Sequence, residues 1–296
     1  MSRLFGILKV ILVLAIDFAA IYSLFENSWI AFTAVGVISS YVTLGGYLDL
    51  LKDGAVSSKK LPAHQRNRIE AAKTQLIHDV KSISGANISG LKLYLLPGDD
   101  EMNATAYGFK CVSITRGTLD NTDPITLISV LGHEISHIQS LDPEFNRAVF
   151  FSVMLLVGAL SVISFSTVAI IFLIFFILSC FRSWLGMIAF QGTTKLVRGM
   201  FNFFQKSIVL ICRVLMSCSS RASEFRADRY SAQLGYGVQL AHFLTYAAPE
   251  SHRQLTLTEA LYRTHPATPR RVARLEAFVG KEECALQQNK KEEWCK

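Results

Sequence analysis

Residues 123–139 have the sequence DPITLISVLGHEISHIQ, an apolar stretch that holds two histidines and one glutamate. Asp123 is a residue type that caps helix N-termini, and Pro124 suits the first helical position, so the stretch is predicted to be a helix. His133 and His137 are four residues apart, a spacing that places both imidazoles on one helix face and within reach of one metal ion. Because burying them without partners would be costly, the pattern favours a metal site.

Glu134 follows the first histidine and completes an HExxH pattern. In zinc enzymes with this pattern the two histidines bind the metal, and the glutamate acts as general base on a water molecule. Zinc lowers the pKa of that water towards ~7 and polarises the carbonyl that is attacked. A five-residue pattern can arise by chance, but the uncharged residues around this one are typical of a buried helix. Glu134 is therefore the predicted catalytic base.

A third protein ligand is required, because catalytic zinc sites use three protein ligands and keep one position for water. The best candidate is Glu224, which lies four residues before Asp228 on the same predicted helix face. Glu224 could bind the metal, and Asp228 could accept the N–H of a ligand histidine and fix its tautomer. Nearby arginines also fit a solvated helix with Glu–Arg pairs, but the HExxH pattern favours the interpretation as a ligand. The predicted metal ligands are thus His133, His137 and Glu224, with one zinc ion per chain.

The composition indicates a membrane protein. Of the 296 residues, 51% are hydrophobic and 18% are charged, whereas a typical soluble domain has about 25% charged residues. The formal net charge of +7 could indicate nucleic-acid binding, but the basic residues flank hydrophobic runs, as they do on the cytoplasmic side of membrane spans. No alternation of basic and aromatic residues suited to stacked bases is present. We therefore expect a lipid bilayer as a partner and no nucleic acid.

Four hydrophobic runs organise the chain. Residues 4–25 and 29–51 are each long enough to span a bilayer and are joined by a short link, so they predict a transmembrane hairpin. Residues 149–180 contain no charged residue and exceed one span, which fits either one long tilted helix or a re-entrant pair. Residues 201–220 form a weaker span. Since His137 and Glu224 must reach the same ion, the chain between them crosses the membrane an even number of times.

Basic residues predict the orientation in the membrane. Arg3 and Lys9 lie near the N-terminus, and a basic stretch follows Lys52, whereas the link between the first two runs carries only Glu26 as a charged residue. By the positive-inside rule, the N-terminus and the region after Lys52 face the cytoplasm.

The chain resembles the HtpX-like membrane zinc metalloproteases, gluzincins related to the CaaX prenyl proteases, whose pattern is HExxH followed much later by ExxxD. Residues 133–137 and 224–228 carry this resemblance. It extends to residues 103–106, which are similar to the family's substrate-binding edge strand, and to residues 264–266 and 270–275, which look like its closing segment. The resemblance implies a zinc-dependent peptidase whose active site is assembled at a membrane.

Three further residues enter as possible substrate-binding residues through this resemblance. Asn103 and Ala104 would pair with the substrate backbone as an added strand, although a plain sheet edge is an equally simple interpretation. His265 would lie near the active site, where it could bind substrate or stabilise an oxyanion. The alternative for His265 is a turn residue before Pro266.

The predicted fold class is mainly α, with transmembrane helices and a split zincin-like α+β metalloprotease domain that contains a small sheet. Helix is expected over 65–84, and strands over 91–96 and around 111–115. The predicted segments are a transmembrane hairpin (1–52), the first part of the metalloprotease domain (53–148), a second transmembrane pair (149–220), the second part of the metalloprotease domain (221–280) and a polar, disordered tail (281–296).

The predicted function is a membrane-bound zinc endopeptidase that acts on membrane-protein or unfolded polypeptide substrates. The resemblance implies quality control of misfolded membrane proteins, as part of a stress response. A dedicated processing protease of the prenyl-protein type is the alternative enzyme. A zinc-bearing membrane adaptor without turnover is a third interpretation, but it would not need the intact base Glu134. A transporter is disfavoured because the hydrophobic runs lack the paired Gly/Pro-broken segments and matching halves of transporters. The compact pattern favours a multi-pass protein of the bacterial inner membrane with its active site facing the cytoplasm. The oligomeric state is not predicted.

Overall fold

The computed structural model describes residues 2–179, 184–247 and 266–294. It confirms the predicted fold class, a mainly helical protein with one small sheet. The helices are α1 Ser2–Phe25, α2 Ser28–Lys52, α3 Ala63–Ser84, α4 Arg116–Asn121, α5 Pro124–Gln139, α6 Asp142–Ser179, α7 Trp184–Ser231, α8 Gly237–Ala247 and α9 Thr268–Trp294. The strands are β1 Val56–Ser57, β2 Lys92–Leu96, β3 Ala104–Gly108 and β4 Cys111–Thr115.

The chain forms two compact units, one of Met1–Ala148 with Ser217–Lys296 and the other of Val149–Met216. The sheet belongs to the first unit and has the strand order β1-β2-β4-β3. Strand β2 pairs in parallel with β4, while β1 and β3 pair antiparallel to their neighbours. Strand β3 therefore lies at an edge of the sheet, where the described residues include no further strand beside it.

Helix α5 forms where its sequence signals place it. The Asp123 side chain accepts hydrogen bonds from the backbone N–H groups of Ile125 and Thr126, and Pro124 occupies the first turn. These contacts satisfy donors that a helix start leaves free. The apolar side of α5 packs into a core with α3 and the sheet, in which Leu131 is fully buried. The helix is therefore held rigidly inside the first unit, and its histidines are held with it.

Helix α2 approaches the sheet closely at one glycine. A Cβ at Gly46 would clash with the carbonyl group of Tyr107 in β3. The Tyr107 hydroxyl donates a hydrogen bond of 2.6 Å to Asp53, just after the helix ends, and Arg147 of α6 joins the Tyr107 carbonyl to Asp49 of α2. The edge strand is thus fixed by contacts with a helix of the predicted transmembrane hairpin.

Four stretches of helix are long and apolar enough to cross a membrane: Arg3–Ser23, Ser28–Lys52, Asp142–Ile177 and Gln191–Ala247. Large apolar side chains on them are exposed, including Phe165, which is 78% exposed. Water would disfavour such surfaces, whereas lipid would not. Residues 149–179 form part of one continuous helix, so of the two arrangements expected for this run the single long helix is the one observed.

The expectation of a disordered tail was wrong for the part of the tail that the structure describes. Helix α9 continues through Lys281 to Trp294. Its last residues are mostly Lys, Glu, Gln, Ala and Leu, which have high helix propensity, so the chain can extend an existing helix without burying apolar surface. Polarity was therefore a poor indicator of disorder here.

Candidate metal centre

Helix α5 brings His133 and His137 together at a buried position. Their Nε2 atoms lie 3.2 Å apart, as expected for residues one turn apart on the same face. Glu224 approaches from α7, with its carboxylate oxygens 3.4 Å from His133 Nε2 and 3.8 Å from His137 Nε2. Helix α7 is fastened to α5 nearby by a 2.8 Å hydrogen bond from the Ser231 hydroxyl to the Ser129 carbonyl. Residues distant in sequence thus present three donor atoms to one point.

The donor set fits zinc. One atom each from His133, His137 and Glu224 lies within 4.8 Å of the others. Ligands at ~2.0–2.2 Å around a tetrahedral ion are themselves about 3.3–3.6 Å apart, close to the separations observed here. Two imidazoles and one carboxylate form a ligand set typical of catalytic zinc.

The far nitrogen of each histidine faces an aspartate. His133 Nδ1 lies 3.0 Å from Asp228, although the ring N–H is not aligned for a good hydrogen bond, and His137 Nδ1 lies 3.0 Å from Asp142. Carboxylates in these positions favour the tautomer that leaves Nε2 free for a metal. Asp228 was predicted in this role. Asp142 was not, because its proximity depends on the sharp turn at Leu141, whose φ of 53° lies in the left-handed region.

Arg271 of α9 is a second residue that the sequence did not single out for a role. Its guanidinium binds Asp228 through two hydrogen bonds of 2.9 and 2.6 Å and lies 2.9 Å from Glu224. A planar guanidinium suits such paired contacts with carboxylates. The only available signal was that Arg271 lies in the segment 270–275, which carried part of the family resemblance.

The carboxylates make the centre attractive to positive charge. Burial alone would lower the pKa of His133, but Asp228 and Glu224 outweigh burial and raise this pKa to about 10. A site whose negative charge retains a proton on an imidazole in this way will also attract a cation. The electrostatic environment is thus consistent with the donor geometry.

Glu134 lies beside the histidines and next to the edge strand. Burial raises the pKa of its carboxyl group, while the charges of His133 and His137 act in the opposite direction. The backbone of Ala106 in β3 also lowers this pKa, since it lies close to the Glu134 carboxylate. The predicted base therefore lies beside the predicted substrate-binding strand.

A cavity of about 630 Å³ opens onto this cluster. Its lining includes His133, Glu134 and Glu224, together with Asn103 and Ala104 at the start of the edge strand. The cavity therefore brings the predicted base, two of the three predicted metal ligands and the start of the predicted substrate-binding strand to one space. His265 lies outside the described residues, and its neighbour Pro266 contributes to the cavity lining.

Comparisons with known proteins agree with this geometry. The model of peptidase family M48 matches residues 64–279, which contain both halves of the centre. The chain belongs to peptidase family M48. Peptidases of this family are zinc-dependent, and the four apolar helices make this member an integral membrane protein.

Two individual relatives of this M48 member extend the comparison. The CAAX prenyl protease 1 homolog of Caenorhabditis elegans is 29% identical over 172 residues, which cover 54% of this chain and 34% of that protein. The chain thus spans about a third of the length of that curated relative. The crystal structure of S. mikatae Ste24p superposes with a TM-score of 0.50 at 18% sequence identity, covering 88% of this chain and 61% of that chain. At this identity the likeness supports the fold alone.

Proposed function

We propose that this chain is a membrane-embedded endopeptidase that uses one zinc ion per chain. The observation that carries the proposal is the convergence of His133, His137 and Glu224 beside Glu134, at the end of a sheet-edge strand. Family membership supports the same chemistry. A zinc-bearing adaptor without turnover would need the ligands, but it would need neither the buried base nor the cavity.

In the proposed mechanism His133, His137 and Glu224 hold the metal. Zinc, when bound there, supplies a Lewis acid that makes water more acidic and polarises a peptide carbonyl. Glu134 accepts the proton from the attacking water and then delivers it to the leaving amine. Asp228 and Asp142 keep the imidazoles oriented.

Substrate would bind as an additional strand along β3. In the free protein the Ala104 N–H is bound by the side chain of Asn103, at 2.9 Å. A substrate carbonyl would replace this one local hydrogen bond, and the peptide would then run past Glu134. His265, directly before the cavity-lining residue Pro266, is a candidate for contact with substrate.

For the substrate class we favour unfolded or misfolded membrane proteins, a role implied by the resemblance to the HtpX-like proteases. The second candidate is a dedicated processing protease, and the specific observation for it is the matching C. elegans relative, which is named a CAAX prenyl protease homolog. The proposed setting is the bacterial inner membrane, with the active site facing the cytoplasm, as the distribution of basic residues predicts.

The test of the mechanism is Glu134→Gln in purified full-length protein. We expect this variant to retain zinc, measured by metal analysis, and to lose peptide cleavage by at least about 100-fold, since general-base catalysis contributes 10²–10⁴-fold. Cleavage at the wild-type rate would rule out Glu134 as the base. Glu224→Ala is the matched comparison, because it should lose zinc as well as activity.

The same Glu134→Gln variant can separate the two substrate classes. In cells, we expect it to trap many unrelated membrane proteins if the role is quality control, whereas a processing enzyme would trap one or a few. With wild-type enzyme, an unfolded membrane protein and a prenylated carboxy-terminal peptide would be compared directly. Cleavage of the prenylated peptide alone would overturn the quality-control assignment.

A further inference from the structure

A second cavity, lined by residues of α7 and α9, is basic. It has a volume of about 780 Å³, and its basic lining residues are Arg226, Arg229, Arg274 and Lys281. Helices α7 and α9 supply these four residues. Among the described residues of the lining, Asp228 is the one acidic residue, and it is already bound by Arg271 and faces His133. The cavity therefore has a strong excess of positive charge.

Arg229 and Arg274, two of the cavity's three arginines among the described residues, rest on aromatic rings and leave their N–H groups available. The Arg274 guanidinium lies 4.0 Å from the centre of the Phe225 ring, and that of Arg229 lies 5.5 Å from the Phe278 ring. The Arg270 guanidinium lies 5.9 Å from the centre of the same Phe225 ring. Within the described chain, no carboxylate pairs with Arg229, Arg270 or Arg274. Stacked guanidinium groups are pre-oriented, so they lose little freedom when they bind a phosphate.

The cavity lies close to a membrane span. Arg226 forms an ion pair with Asp142, and the same aspartate binds Lys9 at 3.2 Å. Lys9 belongs to the early turns of the apolar stretch Arg3–Ser23, so Arg226 lies at the level of one end of that span. Clusters of basic residues next to a membrane span attract anionic lipid headgroups, at about 1 kcal/mol per residue near the surface.

From these observations we propose that the cavity between α7 and α9, lined by Arg226, Arg229, Arg274 and Lys281, binds the phosphate headgroup of an anionic phospholipid. Stacking on Phe225 and Phe278 fixes the arginines, and the adjoining span supplies the lipid. A bound headgroup would also hold α9 against α7. Since α9 carries Arg271, the lipid would steady the contacts of Arg271 with Glu224 and Asp228.

The proposal is tested on full-length protein in detergent. Short-chain phosphatidylglycerol and phosphatidylcholine of equal chain length are titrated separately, and bound lipid is counted by native mass spectrometry. We expect wild-type protein to bind phosphatidylglycerol at least about tenfold more tightly. The double variant Arg229→Gln/Arg274→Gln should reduce this preference to about twofold or less. The matched control, Arg66→Gln/Lys81→Gln, removes the same charge from exposed positions on α3 and should keep the preference.

A second variant tests whether misfolding, rather than loss of the lipid site, explains the result with the first. Arg229→Lys/Arg274→Lys keeps the charge but loses the planar guanidinium, so we expect it to lose most of the preference while unfolding at the wild-type temperature. Equal loss in the α3 control, or full preference in both cavity variants, would overturn the proposal. Inorganic phosphate is the last arm: if millimolar phosphate alone displaces phosphatidylglycerol, the ligand is a free anion and the lipid assignment fails.

Discussion

The two histidines of α5 are supported by similar chemistry from different parts of the molecule. Behind His133 lie Asp228 and Arg271, both buried and joined by two hydrogen bonds. Behind His137 lies Asp142, which binds Arg226 and Lys9. We call these the His133 network and the His137 network. Each places a carboxylate on the far nitrogen of a proposed ligand and balances its charge with basic side chains.

The two networks differ in burial and in what they connect. The side chain of Arg271 is 9% exposed, whereas that of Arg226 is 39% exposed. The His133 network joins α7 to α9, and the His137 network reaches α1, a candidate membrane span. A buried charge cannot recover water when its partner is removed, but a half-exposed one can. The His133 network should therefore govern stability, and the His137 network should connect the centre to the membrane helix.

The largest effect is expected from Arg271→Gln. Removing this cation leaves Asp228 buried without the guanidinium that donates two hydrogen bonds to it, which typically costs about 3–5 kcal/mol of unfolding free energy. The measurement is chemical unfolding of zinc-loaded protein in detergent. Arg270→Gln is the control, because this exposed neighbour should change stability by no more than about 0.5 kcal/mol. If the two variants were equally stable, the buried contacts of Arg271 would not stabilise the fold.

Asp228→Asn and Asp142→Asn compare the networks directly. Each weakens the orientation and basicity of one ligand histidine, so zinc affinity should fall by about 10–100-fold in both, measured by competition with a chelator. Only Asp228→Asn should also cause a large loss of stability, because it leaves Arg271 buried. Undiminished zinc affinity in Asp142→Asn would show that the His137 network does not serve the metal.

The contrast between the networks also explains how far the sequence could predict the site. His133, Glu134 and His137 follow from local spacing, because a helix converts a four-residue interval into a shared face. The start of α5 at Asp123 was also predictable from local sequence, because Asp is a preferred N-cap and Pro124 suits the first helical position. Asp142 and Arg271 depend on a left-handed turn and on the docking of a late helix. No local pattern encodes either contact.

Prediction of the fold was also accurate where the signal is local and failed where it is not. Helical periodicity predicted α3 closely, since this helix buries one face against a core, and the strand expected around 111–115 is β4, which is buried on both faces. Hydropathy alone left residues 149–180 open between one helix and a re-entrant pair, because an uncharged run contains no signal for reversal. The tail was predicted to be disordered from its polarity, yet its residues have high helix propensity and follow a helix already formed.

A smaller effect is expected from Lys9→Gln. This change removes one of the cations around Asp142, and a partly exposed ion pair is worth about 1 kcal/mol or less. The loss should disappear when Asp142→Asn is already present, which a double-mutant cycle on unfolding free energy would measure. Arg3→Gln on the same helix is the control. Additive effects of Lys9→Gln and Asp142→Asn would show that Lys9 on α1 does not stabilise the protein through Asp142.

The smallest effect should come from Asp123→Ala, which alters the start of the helix common to both networks. Loss of an N-cap costs about 1 kcal/mol, and neither network should be weakened more than the other. Hydrogen bonds from the Thr126 hydroxyl and from backbone N–H groups lower the pKa of the Asp123 carboxyl in the folded protein. Its stabilisation is therefore present above the unfolded pKa of about 3.9 and is lost as the pH falls through the folded value. The stability difference between wild type and Asp123→Ala should shrink below about pH 4. Asp123→Asn caps without a charge, so it should lack this pH dependence; if it showed the same dependence, another group would be responsible.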